Sequence, residues 1–275
     1  MRSPVWRLVG FVAAVAAAFG ITGVVVGFLS PAPPWLWSLL VAVLLLVVTW
    51  AALRLEGRGL ADLGLECTGR RFRQAGAGFL IGTAVFSGVA LTHAAMVGAT
   101  WRFSGAEIAG TVVAGLAVML LSVVFEELVF RGYAFRQLTA MGGPVLAVAV
   151  TSVAFGGYHL IGRPYWAMGA VFVVAMSLLG GVVFAYALLR SGGLPLAIGL
   201  HWGGNWAMSS LFGPGAGSVW SADLSQAQVA ALTAPDLGPH LPYLAALAVI
   251  GLVVSSGRFG PAGSGGARRT APPRP

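Results

Sequence analysis

The chain has very little charge and no lysine. Of its 275 residues, 9% are charged and 58% are hydrophobic, whereas a soluble domain carries about a quarter charged residues. This composition excludes a water-soluble globule. The apolar residues form long runs, not the alternating segments of about ten residues that build an outer-membrane barrel. We therefore expect an all-α polytopic membrane protein.

Cysteine is also nearly absent. The single cysteine, Cys67, excludes an intrachain disulfide and a cysteine-rich zinc site. The net charge of +8 alone would allow binding to nucleic acid. All the basic residues are arginines, however, and they cluster in short segments between apolar runs, where membrane topology explains them. We therefore expect no nucleic-acid partner.

Long runs of apolar residues make up most of the sequence. A spanning helix needs about 20 mostly apolar residues, and the runs predict about eight transmembrane helices. They lie near residues 5–29, 35–53, 75–99, 108–137, 144–160, 166–189, 194–212 and 240–256. The first run is longer than the core of a typical signal peptide, which indicates a retained span. Proline and glycine separate several spans, at 31–34, 142–144 and 162–164.

The arginines predict the orientation of these spans. An even number of spans puts both termini on one side of the membrane. With the N-terminus inside, only Arg102 and Arg163 lie outside, and Arg131 lies within the fourth span. The inner arginines are then 2, 7, 54, 58, 70, 71, 73, 136, 190, 258, 268, 269 and 274. This asymmetry indicates a multi-pass protein of the cell membrane with cytoplasmic termini.

The chain divides into four regions. Residues 1–107 hold three spans and a segment, 54–73, in which leucines alternate with charges. That segment is either an interfacial amphipathic element or a solvated loop. Residues 108–212 form a core that carries the polar residues within spans. Residues 213–257 hold an outer loop, with a short helix expected at Ser225–Leu232, and the last span. Residues 258–275 are expected to be a disordered cytoplasmic tail.

Two adjacent acids lie within the fourth span, where charge is costly and therefore indicates function. Glu127 and Arg131 are four residues apart on one helix face and can pair. Glu126 points about 100° away and is left as the free carboxylate. Its apolar surroundings suit it to proton transfer. The competing interpretation is a structural ion cluster that locks helices together.

Two further spans carry histidines beside paired glycines. The fifth span contains Phe155 and His159, and the seventh contains His201 and Asn205. His201 and Asn205 are four residues apart, so both side chains point the same way. A buried histidine is commonly a packing residue, but two of them beside glycines, which permit close approach of a backbone or ligand, favour a site. In an antiparallel hairpin, Glu126 and His159 lie at the same depth, about 25 Å from the turn.

These three motifs together resemble the CPBP family, the CAAX prenyl proteases and bacteriocin-processing (Abi) intramembrane proteases. The motifs are Glu126-Glu127 with Arg131, Phe155 with His159, and His201 with Asn205. The resemblance covers roughly residues 108–212. It implies an intramembrane endopeptidase that hydrolyses a peptide bond of a membrane-associated substrate, of CAAX type or bacteriocin-like.

The resemblance also implies a role for each residue. Glu126 would be the general base that activates water, with help from His159. His201 and Asn205 would form the oxyanion hole, which stabilises a tetrahedral intermediate by about 3–4 kcal/mol per donor. Glu127, Arg131 and Phe155 would support the site. The expected partners are the lipid bilayer and a peptide or protein substrate, and the sequence carries no signal for an oligomeric state.

The resemblance leaves open whether hydrolysis requires a metal ion. Glu126, His159 and His201 would be the ligands of a zinc ion if one is bound. The sequence has no His-Glu-x-x-His run, and a carboxylate that binds metal cannot also act as a free base. A metal-free glutamate mechanism is therefore favoured, with zinc as the alternative. Two other functions stay open: a non-catalytic membrane immunity or scaffold protein, and a proton-coupled transporter.

Overall fold

The protein is a bundle of long helices in a computed structural model that describes residues 3–104, 109–161, 168–214, 218–234 and 236–260. The helices are α1 (Pro4–Phe28), α2 (Pro34–Arg54), α3 (Gly69–Val97), α4 (Ala109–Glu127), α5 (Tyr133–Tyr158), α6 (Met168–Ser191), α7 (Leu194–Trp206), α8 (Gln226–Leu232) and α9 (Leu241–Ser255). Within the described residues, six helical stretches are long and apolar enough to cross a membrane. The chain is an all-α polytopic membrane protein, as predicted.

The eight predicted spans are helical over most of their described residues. The fourth and fifth belong to one apolar stretch, Val112–Tyr158, which bends at Gly142 and Gly143. The φ of Gly143 is +79°, a region that favours glycine, and Pro144 follows it. The predicted break at 142–144 is therefore confirmed. The seventh span is the short α7 extended by a π-helical turn, Ala207–Leu211.

Two sequence expectations fall outside the described residues. One is the end of the fifth span at 162–164. The other is the tail, of which the structure describes residues 258–260.

One end of the bundle, here called the basic end, gathers the starts and ends of most helices. Arg7 at the start of α1 pairs with Glu56 just after α2, at 3.2 Å. The hydroxyl of Tyr133, at the start of α5, donates to the same carboxylate. Gln74 near the start of α3 donates to the Ser191 carbonyl at the end of α6. Arg58, Arg136 and Arg190 also make their contacts at this end, with Asp62 and with the Ser255 carbonyl.

The opposite end carries a small three-stranded sheet that the sequence did not predict. The strands are β1 (Thr100–Phe103), β2 (Phe212–Pro214) and β3 (Trp220–Asp223), in the order β1-β3-β2. Strands β1 and β3 are antiparallel, whereas β2 and β3 are parallel. Helix α8 follows with Ser225 as its N-cap, so the short helix expected at Ser225–Leu232 is confirmed.

Segment 54–73 packs on the bundle. It contains a 3-10 turn, Leu60–Leu63, and Leu63 is buried in the core beside α1, α2 and α4. Asp62 accepts from the Gly59 backbone N–H at 3.0 Å and from Arg58 at 3.1 Å. The Gly59 N–H and the Arg58 guanidinium hold the pKa of Asp62 below its usual range. Leu60, Leu63 and Leu65 of this segment thus face protein, whereas Leu55 is exposed.

Helices α3 and α7 touch through their backbones because glycines alternate across the contact. A Cβ on Gly199 would lie 2.1 Å from the Ala75 carbonyl oxygen, and one on Gly203 would lie 2.1 Å from that of Phe79. On α3, a Cβ on Gly82 would lie 2.2 Å from the Leu200 carbonyl oxygen. Small residues spaced by four are the usual means of such close packing in lipid. This contact fixes the helix that carries His201 and Asn205.

A second set of contacts fixes α4 against α7. The indole N–H of Trp202 donates to the Leu116 carbonyl at 2.9 Å. Val123 and Leu128, on either side of the acidic pair, are fully buried with Leu194 in one apolar cluster. The acids and His201 are therefore carried by helices whose relative position is set by dense packing.

Candidate active site

A π-helical turn, Leu128–Gly132, follows the acidic pair directly. Helix α4 ends at Glu127, and α5 begins at Tyr133 after the turn. Turns of this kind are rare and widen the helix locally, often at functional sites. A second π-helical turn begins two residues after Asn205. Both helices that carry polar site residues are thus interrupted next to them.

Glu127, Arg131 and His201 form one buried hydrogen-bonded group. Nη1 of Arg131 donates to Oε1 of Glu127 at 3.2 Å, so the predicted pair is present. Both side chains are completely buried. Nδ1 of His201 lies 3.0 Å from the same Oε1. Because an ionised carboxylate only accepts, the imidazole donates through Nδ1, and this bond orients its ring.

Glu126 faces the other nitrogen of the same ring. Its Oε2 lies 3.5 Å from Nε2 of His201, and its side chain is 12% exposed. Oε2 is buried and makes no hydrogen bond within the described part of the chain. This oxygen is therefore an acceptor that protein groups leave available. Adjacent in sequence, the two acids contact opposite nitrogens of one imidazole.

Phe155 is the aromatic centre of the site. The guanidinium carbon of Arg131 lies 4.2 Å from the centre of its ring. The rings of His159 and His201 lie 4.6 Å and 5.8 Å from it, edge to face. Nδ1 of His159 contacts the Phe155 carbonyl oxygen at 2.8 Å, which orients the second imidazole from its own helix. Phe155 thus lies between Arg131 and a small cavity that His159, His201 and Asn205 line.

A small cavity joins the predicted residues. It has a volume of about 50 Å³, and its lining includes His159, His201 and Asn205. His201 and Asn205 thus face one space, as their spacing predicted. Glu126 does not line this cavity, but its carboxylate contacts the His201 imidazole, which does. The volume is sufficient for a few water molecules but far below that of a peptide-binding pocket.

The proposed zinc ligands do not form a metal-binding set. Among the described residues, no three His, Cys, Asp or Glu side chains converge as ligands would. Of the expected three, His201 directs Nδ1 to Glu127 and Nε2 to Glu126, and His159 directs Nδ1 to a backbone carbonyl. The arrangement of these side chains therefore does not fit a metal ion.

Sequence reasoning missed the aromatic walls of the site. Phe184 stacks on His201, with ring centres 4.6 Å apart and planes 19° apart. Tyr243, on α9, lines the same cavity. In apolar helices, the sequence does not distinguish an aromatic residue that lines a site from one that packs in the core. A larger groove of about 670 Å³ lies between α1 and α2, lined in part by Arg7, Phe11 and Glu56, and none of the predicted site residues borders it.

Comparison with known families decides the resemblance. The family model described as type II CAAX prenyl endopeptidase Rce1-like matches residues 107–207. This match supports the resemblance of these residues to the CAAX protease family. This Rce1-like segment contains every residue from Glu126 to Asn205 that the site brings together. No curated protein and no solved structure matches the chain.

Proposed function

We propose that this protein is an intramembrane endopeptidase that cleaves a membrane-associated protein or peptide, of CAAX type or bacteriocin-like, by glutamate-activated water. The family match implies a membrane protease. The observation that carries the finer proposal is the contact between Glu126 and His201 at 3.5 Å, beside a cavity shared with His159 and Asn205. A base, two imidazoles and a carboxamide are sufficient for hydrolysis of an amide.

Glu126 acts first as the general base. Its available Oε2 takes a proton from water, and the water oxygen forms a bond to the carbonyl carbon of the scissile peptide. His159 helps to hold this water. The carbonyl π electrons move to oxygen and give a tetrahedral oxyanion. Glu126 then returns the proton to the leaving nitrogen as the C–N bond breaks, which releases a carboxylic acid and an amine.

His201 and Asn205 stabilise the oxyanion. The Asn205 side-chain amide is one donor, and Nε2 of His201, when it carries a proton, is the other. Because Nδ1 already donates to Glu127, the ring cannot turn away without the loss of that bond. Preorganised donors of this kind contribute about 3–4 kcal/mol each to the stabilisation of the transition state. Glu127, Arg131 and Phe155 position the ring and do not touch substrate.

Hydrolysis of synthetic membrane-tethered peptides by the purified protein in liposomes tests the proposal. Mass spectrometry of the products identifies the cleaved bond. We expect cleavage by the wild type and at least a 10³-fold loss of rate for Glu126→Gln, because the amide cannot take a proton. Asn205→Ala should lose about 10²- to 10³-fold.

The matched control is Asp223→Asn, which removes an exposed acid at the opposite end of the bundle. It should cleave at the wild-type rate. Cleavage by Glu126→Gln at that rate would refute the glutamate mechanism. Absence of cleavage by the wild type, with a cellular phenotype that Glu126→Gln preserves, would support the non-catalytic immunity or scaffold function instead.

A further inference from the structure

A cleft at the basic end is lined by three arginines and no acid. It has a volume of about 330 Å³ and lies between the start of α3 and the end of α9. Arg70, Arg73 and Arg258 line it together with Gln74, Phe259 and Gly260. It shares no residue with the candidate active site. The proposed protease activity therefore does not account for the positive charge of this cleft.

The protein itself compensates little of this charge. The nearby acid Glu66 interacts with Arg70 and Arg71, and its Oε1 accepts from Nε of Arg71 at 2.6 Å. Arg70 donates to two backbone carbonyls, of Ser191 at 3.3 Å and Gly260 at 3.0 Å, which satisfy hydrogen bonds but carry no net charge. Arg73 and Arg258 are exposed. Within the described residues, none of the three arginines that line the cleft forms an ion pair.

The cleft has a rigid floor. Gln74 is 5% exposed and donates to the carbonyls of Ser191 and Phe259, at 3.2 Å and 3.3 Å. These bonds hold the ends of α3, α6 and α9 together beneath the arginines. The residues after Gly260 include three more arginines and no acid.

We propose that this cleft binds a phosphate group, and that in the membrane the phosphate belongs to the headgroup of an anionic phospholipid. Arginine presents several N–H donors that match phosphate oxygens. Basic pockets between membrane helices are typical headgroup sites. The position fits, because the cleft lies at the basic end of the bundle, where the apolar helix α3 begins and the apolar helix α9 ends.

Lipid retention measured by native mass spectrometry tests the proposal. The full-length protein is equilibrated in detergent with equal amounts of phosphatidylglycerol and phosphatidylcholine. We expect the wild type to retain one phosphatidylglycerol preferentially. Each arginine near an anionic surface adds about fivefold to binding, so Arg73→Gln with Arg258→Gln should lower the preference about 25-fold. Both residues are exposed, so this double variant leaves the buried contacts of the floor in place.

Arg54→Gln is the matched control, because Arg54 is an exposed arginine at the same end that does not line the cleft. It should leave the preference within about twofold of the wild type, since surface charge acts weakly at a distance. An equal loss in the control and the double variant would overturn a specific site, as would a wild type that shows neither a preference for phosphatidylglycerol nor binding of inorganic phosphate. Competition by inorganic phosphate without any preference for phosphatidylglycerol would support the phosphate site but overturn its assignment to a lipid.

Discussion

Oε1 of Glu127 lies 3.0 Å from Nδ1 of His201, although 74 residues separate the two in the chain. The same oxygen accepts from Arg131 at 3.2 Å. One buried carboxylate thus couples the ion pair of the fourth predicted span to the imidazole of the seventh. The adjacent acid, Glu126, contacts the opposite nitrogen of that imidazole. Two neighbouring glutamates therefore have separable roles, one in orientation and one in proton transfer.

The first prediction separates these roles. Glu127→Gln should destabilise the fold by about 3–5 kcal/mol, because it leaves the buried Arg131 without its counter-ion. The rate of peptide hydrolysis should fall about 100-fold, because a neutral amide holds the His201 imidazole less firmly than the carboxylate does. Glu126→Gln should abolish hydrolysis while the apparent melting temperature in detergent stays within a few degrees. Equal thermal stability of the two variants would argue against a structural role for Glu127.

The second prediction concerns Glu56, which ties three elements together at the basic end. Its carboxylate pairs with Arg7 at 3.2 Å and accepts from Tyr133 and, at 2.8 Å, from Gln137. Glu56→Ala should destabilise the protein by about 1–3 kcal/mol, because partly buried donors lose their acceptor. Denaturant unfolding in detergent measures this. Glu56→Gln keeps a carbonyl oxygen and should lose less, whereas identical losses would show that side-chain packing, not hydrogen bonding, matters here.

The helical fold, and the short-range pairings within the candidate site, followed from the sequence because both depend on short-range patterns. Runs of about 20 apolar residues identify spans, and the Gly142-Gly143-Pro144 break follows from backbone chemistry. The four-residue spacings put Glu127 beside Arg131 and His201 near Asn205. These patterns need no knowledge of the tertiary structure.

What sequence reasoning missed depends on contacts between distant segments. The bond between Glu127 and His201 requires the packing of α4 on α7, which spacing within either helix cannot reveal. The π-helical turns after Glu127 and after Trp206 leave no recognisable pattern in the sequence. Strand β3 pairs with β1 across more than 100 residues, and each strand has only three or four residues. In the sequence, Phe184 cannot be distinguished from any other apolar residue of a helix. Its stacking on His201 is visible only in the structure.

The third prediction concerns metal. Because both nitrogens of His201 already face carboxylates and no three ligand side chains converge among the described residues, we expect peptide hydrolysis to persist after chelation. The protein is treated with excess EDTA or phenanthroline and dialysed before the assay. Its rate of hydrolysis should stay within about twofold of the rate of the untreated protein. Loss of hydrolysis that returns on addition of zinc, but not magnesium, would instead support the alternative in which Glu126, His159 and His201 bind zinc.

The fourth prediction concerns the backbone contact that positions α7. Gly199→Ala would place a methyl group 2.1 Å from the Ala75 carbonyl oxygen, which forces α3 and α7 apart. Overpacking of this kind costs about 1–3 kcal/mol. It should also lower the rate of hydrolysis, because α7 carries both His201 and Asn205 while Glu126 stays on α4. We expect at least a tenfold loss of rate and a lower melting temperature in detergent.

Gly88→Ala is the control for this variant, because Gly88 lies on α3 and a Cβ there would meet nothing within 4 Å. It should be neutral or should stabilise the protein by about 0.4–1 kcal/mol, since alanine restricts the unfolded chain more than glycine does. A compensating pair provides a stricter test. If the helices are held by their closest approach, Ala75→Gly cannot rescue Gly199→Ala, because the clash is with a backbone oxygen and not with a side chain. Rescue by Ala75→Gly would show that α3 and α7 are held apart by side chains and that the glycine contact does not position the site.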